Sequence, residues 1–309
     1  MNRHGDRQSD PWASGVGIAV QLLVNIVVLA AIYALIACGY VIVYRASRVL
    51  NLAHGELMML GAYFLIVTAA GFSGNPFLAI GAAAGLSLAV GVIVYLFLIR
   101  RMTGEAALAA VLTTIALGIL IRGLVVLLWS AQQYNPASLL DASNPAVTLP
   151  GGARISSYSL ALVVWTVAVY SVIFAVLRFS RWGIRFRAAG QNALLASQRG
   201  INLNVVYALA WGLSTFTGAS AGILIALDSG LDNSLVTIGL KAFPAALVGG
   251  LDSLVGALFG ALIIAASEVL LIHYVDPLLS DVVPFLVLIA MLVVRPWGLF
   301  GTREELDRV

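Results

Sequence analysis

Lysine occurs once in the 309 residues, as Lys241, and charged residues of all kinds make up only 10% of the chain. That scarcity leaves no basic face of the kind a phosphate backbone requires, so nucleic acid is excluded as a partner. Cysteine also occurs once, as Cys38, which rules out an intrachain disulfide or a cysteine metal site. The three histidines, His4, His54 and His273, stand far apart in the sequence and no HExxH is present, so no metal site is expected. His54-Gly-Glu56 matches the H-x-E of zinc deaminases, but the paired cysteines that would complete such a site are missing. A G-x-x-x-x-G-K-[ST] phosphate loop is absent too, and the chain therefore cannot hydrolyse ATP by itself.

What is abundant is apolar. Hydrophobic residues make up 61% of the chain and the mean hydropathy is +1.01, which requires lipid as solvent. The expected fold is all-α: a polytopic integral membrane protein of about 8 transmembrane helices, with room for re-entrant or broken segments. Its apolar runs are Ser14–Tyr44, Leu57–Ala70, Phe77–Ile99, Ala106–Leu128, Tyr158–Leu177, Val205–Leu227, Leu254–Ile272 and Val282–Val294. The first is long enough to tilt strongly or to break near Gly39. Residues 1–13 read as a retained tail, 14–298 as one permease domain, and 299–309 as a cytoplasmic tail, with Trp297 and Phe300 beside Arg295 as an interfacial anchor. Gly71–Pro76 reads as a turn and Gln132–Ser157 as the longest outer loop.

The chain's largest polar insertion, residues 178–204, carries Arg178, Arg181, Arg185, Arg187 and Arg199 and no acid. The positive-inside bias puts it in the cytoplasm, with Arg100 and Arg101 on the same side. Ala188, Ala189, Asn192, Leu195 and Ala196 fall at helical spacing and Gly200 stops the run. A basic amphipathic helix offered to the cytoplasm points to docking, against the plainer reading of a loop that only sets orientation. Between Arg45 and Glu56, the polar residues Asn51, His54 and Glu56 stand at the mouth of the second apolar run. Ser234–Gly250, which holds Lys241 and Pro244, is expected not to run as one regular helix against lipid.

Few ionisable groups lie inside the spans, and each is a functional candidate by default. The pathway or gating candidates are Asn51, His54, Glu56, Lys241 and Glu268. An inner-cavity or structural ion pair is the favoured role for Lys241, a position at the outer interface remains open for Glu268, and Arg122 is expected to snorkel. Three small-xxx-small motifs, Gly81/Gly85, Gly218/Gly222 and Gly256/Gly260, mark close helix packing. No catalytic set can be assembled, so an integral membrane enzyme is disfavoured. An ion-coupled secondary transporter would need more carboxylates or histidines at mid-membrane.

Four stretches, Tyr33–Tyr63, Arg187–Asn202, Gly239–Gly260 and Arg295–Gly301, in this order resemble the LivH-type permeases of ATP-binding cassette importers for branched-chain amino acids, and the likeness covers nearly the whole chain from Tyr33. The resemblance implies a multi-pass protein of the bacterial inner membrane and no cofactor. It implies as partners a second, LivM-type permease, two cytoplasmic ATPases and a periplasmic substrate-binding protein. It also makes Arg187–Asn202 the ATPase-coupling helix, with Arg187, Ala188, Gln191, Asn192, Gly200 and Ile201 as its contact residues. Similar families carry urea, short amides or other amino acids, so those substrates stay open. On this reading, the double substitution Arg187→Glu, Gln191→Ala abolishes uptake while the protein stays in the membrane; a variant with normal uptake would remove the coupling assignment.

Overall fold

The computed structural model describes residues 11–72, 75–102, 107–150 and 152–301. The expected polar tail before Pro11, the tail after Gly301, and the centre of the Gly71–Pro76 turn lie outside the described residues. Seven helices are long and apolar enough to cross a membrane. They are α1 (Pro11–Ser47), α2 (His54–Gly71), α3 (Pro76–Phe97), α4 (Ala107–Trp129), α6 (Ser157–Phe179), α9 (Leu203–Ser229) and α11 (Leu254–Tyr274). Two shorter apolar helices, α10 (Leu235–Gly249) and α12 (Val283–Val294), pack with them.

Polar residues in the linkers start most of these helices, because each frees a side-chain oxygen for the orphan N–H groups of a first turn. Asn75 accepts from Phe77 and Leu78 at α3, Ser156 from Ser159 at α6, Asn202 from Val205 at α9 and Ser253 from Gly256 at α11. The N-termini of α2 and α10 have no such side-chain cap. α2 begins inside the protein, where the chain breaks, with Ala53 and His54 buried, and the first turns of α10 lie beside it, Gly239 against Gly55, although Ser234 itself is exposed.

Two differences from expectation concern these breaks. The first run does not break near Gly39; α1 is continuous, and Gly39 instead makes room for the His54 ring, which would lie 2.4 Å from an added Cβ. The turn comes at Arg48, whose φ of 57° reverses the chain. The stretch 49–53 then climbs back beside α4, with the Leu52 amide donating to Thr114 Oγ1 at 3.1 Å. Residues 234–250, expected to be irregular, form a helix straight through Pro244. It is tolerated because α10 is packed inside the protein against α1, α2, α11 and α12 rather than against lipid.

The packing repeats itself. Helix α3 lies on α9 as α11 lies on α1; α2 touches α3, α9 and α4 as α10 touches α11, α1 and α12; and α1 meets α9 while α2 meets α10. The halves α1–α4 and α9–α12 are thus related by a pseudo-two-fold axis. They are inverted, since α1 runs towards the arginine-rich end at Arg45 whereas α9 departs from that end. The result is two layers, α3–α9–α1–α11 behind and α4–α2–α10–α12 in front, with α6 lying on α1 and α9. The outer loop holds a short helix α5 (Pro136–Leu139) and a hairpin of β1 (Ala146–Thr148) and β2 (Arg154–Ser156). Gln21 near the start of α1 bonds Arg154 in that hairpin, so α1 starts on the outer face.

Glycine sets how closely the elements approach. An added Cβ on Gly239 would lie 2.5 Å from Gly55 Cα, and one on Gly260 would lie 2.1 Å from the Ala245 carbonyl oxygen. Gly218, Gly222, Gly256 and Gly260 therefore pack within the chain as expected. Gly81 and Gly85 meet nothing within 4 Å and lie on the exposed face of α3. The Arg295–Gly301 segment is pinned to α10 by Leu299 and Phe300 amides that donate to Val248 and Gly249, and Phe300 stacks on Phe259. Gly260→Val is expected to cost at least about 2 kcal/mol by overpacking and to lower the thermal unfolding midpoint in detergent, whereas Gly81→Val leaves it in place.

Candidate functional site

The centre of the molecule is where the uncapped ends of α2 and α10 meet. His54, fully buried, places Nε2 3.1 Å from the Ile36 carbonyl oxygen and Nδ1 3.3 Å from Ser214 Oγ, with the Tyr40 ring edge-on at 4.5 Å. Gly39 and Gly218 provide the space for its imidazole. Ser214 lies eleven residues into α9, about 16 Å along its axis, so α2 starts deep in the bundle. Asn51, just before it, caps the Ala53 amide with Oδ1, while its Nδ2 is buried without a partner. His54 is thus a packing and hydrogen-bonding centre, and Asn51 the edge of an interior break.

Two ion pairs flank this centre. Glu56 on α2 and Arg122 on α4 are bonded at 2.8 Å, and the Glu56 carboxyl rests against Gly118, where a Cβ would lie 3.1 Å away. Arg122 therefore does not snorkel: its guanidinium turns inward to a partner that the sequence alone could not connect to it. On the other side, Lys241 Nζ lies 3.0 Å from Glu268 Oε1 and 2.8 Å from Asp281 Oδ1, and Tyr33 donates to Glu268 Oε2 at 2.6 Å. Glu268 is 4% exposed, so it is an interior residue and not one at the outer interface. The structural ion-pair reading of Lys241 agrees with this geometry. Tyr33, Ser214 and Asp281 join the site without having been candidates from the sequence, and Arg122 joins it as a partner rather than as a snorkelling side chain, since partners distant in the chain leave no local pattern.

Apart from residues at the helix ends on the two surfaces, the charged residues in the described spans are Glu56, in the first turn of α2 at the interior break, with Arg122, Lys241 and Glu268, and all lie on or against the front layer. Hydroxyls on α6 tie it to the back layer, Thr166 and Tyr170 donating to the Ala31 and Ala34 carbonyls of α1. Gly218-Ala219-Ser220-Ala221-Gly222 spells the G-x-S-x-G of hydrolase elbows. It lies within α9, with Ser220 buried and donating to Thr217, and so presents no nucleophile. Among the described residues, no three His, Cys, Asp or Glu side chains gather as a metal site.

At the arginine-rich end, the expected coupling helix is two helices. α7 (Arg181–Gln191) and α8 (Ala193–Gln198) are jointed at Asn192, which leaves helical geometry at φ −154° and caps α8 through Leu195 N. Gly200, at φ +79°, ends the hairpin as its residue type suggested. Gln191, Asn192, Leu194, Leu195 and Gly200 are exposed, Ile201 is half-buried, and Ala188 and Arg187 face inward in part. Arg187 donates to the Leu177 carbonyl, and Gly190 sits so close to Arg45 that any larger residue would meet its carbonyl oxygen. Arg48 bonds both Gly190 O and Asp252, which ties the hairpin to the feet of α1 and α11. A cavity of about 420 Å³ lined by Arg45, Arg178, Arg187 and Asp252 opens between them.

The family model described as Branched-chain amino acid transport system / permease component matches residues 22–292. The chain is 32% identical to the high-affinity branched-chain amino acid transport system permease protein LivH of Salmonella typhimurium, over 94% of this chain and 97% of that one. It is 29% identical to the permease protein BraD of Pseudomonas aeruginosa over 94% and 98%. The probable LivH of Methanocaldococcus jannaschii shares 24% over 91% and 92%. Each likeness spans both chains nearly end to end, so it concerns the whole membrane domain and not a shared fragment.

Breaking a buried pair leaves an uncompensated charge, and Glu268→Ala is accordingly expected to destabilise the protein by about 3 kcal/mol. Asp281→Asn removes a carboxylate whose side chain is 80% exposed, and thermal unfolding in detergent should show a much smaller shift for it.

Proposed function

The chain belongs to the family of branched-chain amino acid transport system permease components, and we propose that it is the membrane-spanning subunit of an ATP-binding cassette importer that carries leucine, isoleucine and valine. Energy comes from two separate cytoplasmic ATPases, substrate from a periplasmic binding protein, and a second, LivM-type permease completes the pore in the bacterial inner membrane. The protein itself is a transport subunit and not an enzyme.

The observation that carries this reading is the gathering of mid-span charges around the broken helices α2 and α10, with Glu56, Arg122 and Lys241 on the front layer and Glu268 reaching Lys241 from α11. Charge is too costly to spread around a lipid-facing surface, and broken helices at a repeat interface are where membrane transporters place their pathways. The front layer α4–α2–α10–α12 is therefore the side that meets the second permease and lines the path. The α7–α8 hairpin supplies the mechanical input. Its exposed Leu194 and Leu195, 67% and 56% exposed, suit an apolar cleft in an ATPase, while Gly190, Arg48 and Asp252 transmit hairpin movement to α1 and α11. Closure of the ATPases on ATP then biases a two-state bundle, as differential binding must.

The test is co-expression with the second permease, ATPases and binding protein, purification, and uptake of radiolabelled leucine into proteoliposomes. ATP-driven uptake supports the reading; uptake driven by an ion gradient with no ATPase present would replace it by a secondary transporter. Burying one leucine contributes about 2 kcal/mol, so Leu195→Asp is expected to weaken ATPase association by at least about thirtyfold and to abolish uptake with the permease still in the membrane. Undiminished co-purification of the ATPases would remove α8 from the interface.

A further inference from the structure

Of the two ion pairs inside the membrane domain, one is closed and one is open. Glu268 is 4% exposed and is engaged by both Tyr33 and Lys241, and Lys241 in turn holds Asp281. Each Glu268 oxygen already accepts a bond and Lys241 already meets two carboxylates, so the buried part of this group is held by its own partners. The Glu56–Arg122 pair differs. The Arg122 side chain is 54% exposed and, among the described residues, engages only Glu56, through Nη2. A guanidinium carries five N–H donors in a planar fork, so most of its donors point away from the protein.

Position makes this exposure informative. Arg122 lies fifteen residues into α4, about 22 Å from its start, and seven residues, about 10 Å, short of its end at Trp129. Glu56 is the third residue of α2, next to His54 at the interior break, and it holds the guanidinium towards the middle of the bundle. A half-exposed arginine at this depth cannot face acyl chains without a large penalty. Its surroundings in the assembled protein are water or the partner permease, on the layer already assigned to the path.

We propose that Glu56 and Arg122 form a zwitterion clasp, the point at which the backbone ends of a free amino acid are received during passage. The inference rests on the importer reading and names the residues that recognise what the importer carries. The substrate carboxylate pairs with the free edge of the Arg122 guanidinium in the bidentate geometry that arginine favours, and the ammonium pairs with Glu56. The charges that neutralise each other in the empty protein are exchanged for the two charges of the ligand, so no net charge is buried at any stage. Gly118 matters to this exchange, because any side chain there would crowd the Glu56 carboxyl. The recognised class is an α-amino acid with both ends free. The pair does not read the side chain, which leaves selection among leucine, isoleucine and valine to apolar surfaces elsewhere.

Cysteine accessibility in the assembled importer tests this directly, since the single native cysteine, Cys38, is fully buried and provides a silent background. Ile119, one turn before Arg122 and 69% exposed, is replaced by cysteine and labelled with a membrane-impermeant charged thiosulfonate, read on this chain by mass spectrometry. Labelling is expected to be slowed at least threefold by leucine during ATP turnover and unaffected by isoamylamine, which lacks the carboxylate. The leucine effect should vanish when Arg122→Gln is added. Leucine uptake should fall at least tenfold in Arg122→Gln and recover in part in Arg122→Lys, with each variant present in the purified complex at the level of the unmodified chain. Failure of the reagent to label Ile119→Cys, equal protection by isoamylamine, or full uptake by Arg122→Gln in a complex that moves leucine would each overturn the clasp and leave the importer reading standing. An unmodified complex that moves no branched-chain amino acid with ATP would instead overturn the importer reading, and the clasp with it.

Discussion

Everything in this structure depends on a break in two helices being sealed from lipid. Backbone N–H and C=O groups that leave helical geometry at membrane depth cost several kcal/mol each unless protein satisfies them. Residues 49–53 and the uncapped start of α2 are such a break, and they are enclosed by α1, α4, α9 and α10. His54 is the plug. Its two ring nitrogens take up Ile36 O and Ser214 Oγ, and its ring occupies the space that Gly39 and Gly218 leave open. Gly55 and Gly239 let α2 and α10 come into backbone contact on the pseudo-two-fold axis. Larger residues at these four glycines would push the two halves apart and open the break.

Sealing the centre in this way divides the molecule into a stiff layer and a responsive one. Behind, α3, α9, α1 and α11 pack through small residues and backbone-bonded hydroxyls, an arrangement suited to close van der Waals contact where lipid offers no hydrophobic drive. In front, α4 is held to α2 by the Arg122–Glu56 ion pair, and the turn just before α12 is held to α10 by Asp281 and Lys241. Ion pairs can exchange partners with a ligand or with water, whereas interlocked apolar side chains have to be repacked. The layer that can rearrange carries Glu56, Arg122 and Lys241, and Glu268 meets it from α11.

The α7–α8 hairpin reaches the same centre by a short route. Gly190 lies against Arg45, Arg48 joins Gly190 to Asp252, and α1 continues without interruption from Arg45 to Ile36, whose carbonyl faces His54. A displacement of α7 therefore acts on a rigid rod that passes the interior break, and no chain of flexible contacts is needed to connect the hairpin with it.

Hydropathy by itself determined that the chain is a polytopic helical membrane protein, because an apolar run of about 20 residues has no other stable environment. Arginine placement set the expectation of which end faces the cytoplasm, and Gly200 marked a helix end through its backbone freedom. The candidates Asn51, His54, Glu56, Lys241 and Glu268 were legible as polar residues in or at the edge of apolar runs. Their partners were not. Arg122 read as a snorkelling side chain and α10 as an irregular stretch because both judgements assume lipid as the neighbour, and tertiary packing replaced that lipid with Glu56 in one case and with α1, α2, α11 and α12 in the other. The short helix expected within Arg187–Asn202 became two because Asn192 can cap a new helix as readily as it can continue an old one. Only the fold decided which charges meet, since ion pairing acts through space between residues 66 apart or 27 apart in the chain, and no local pattern encodes such distances.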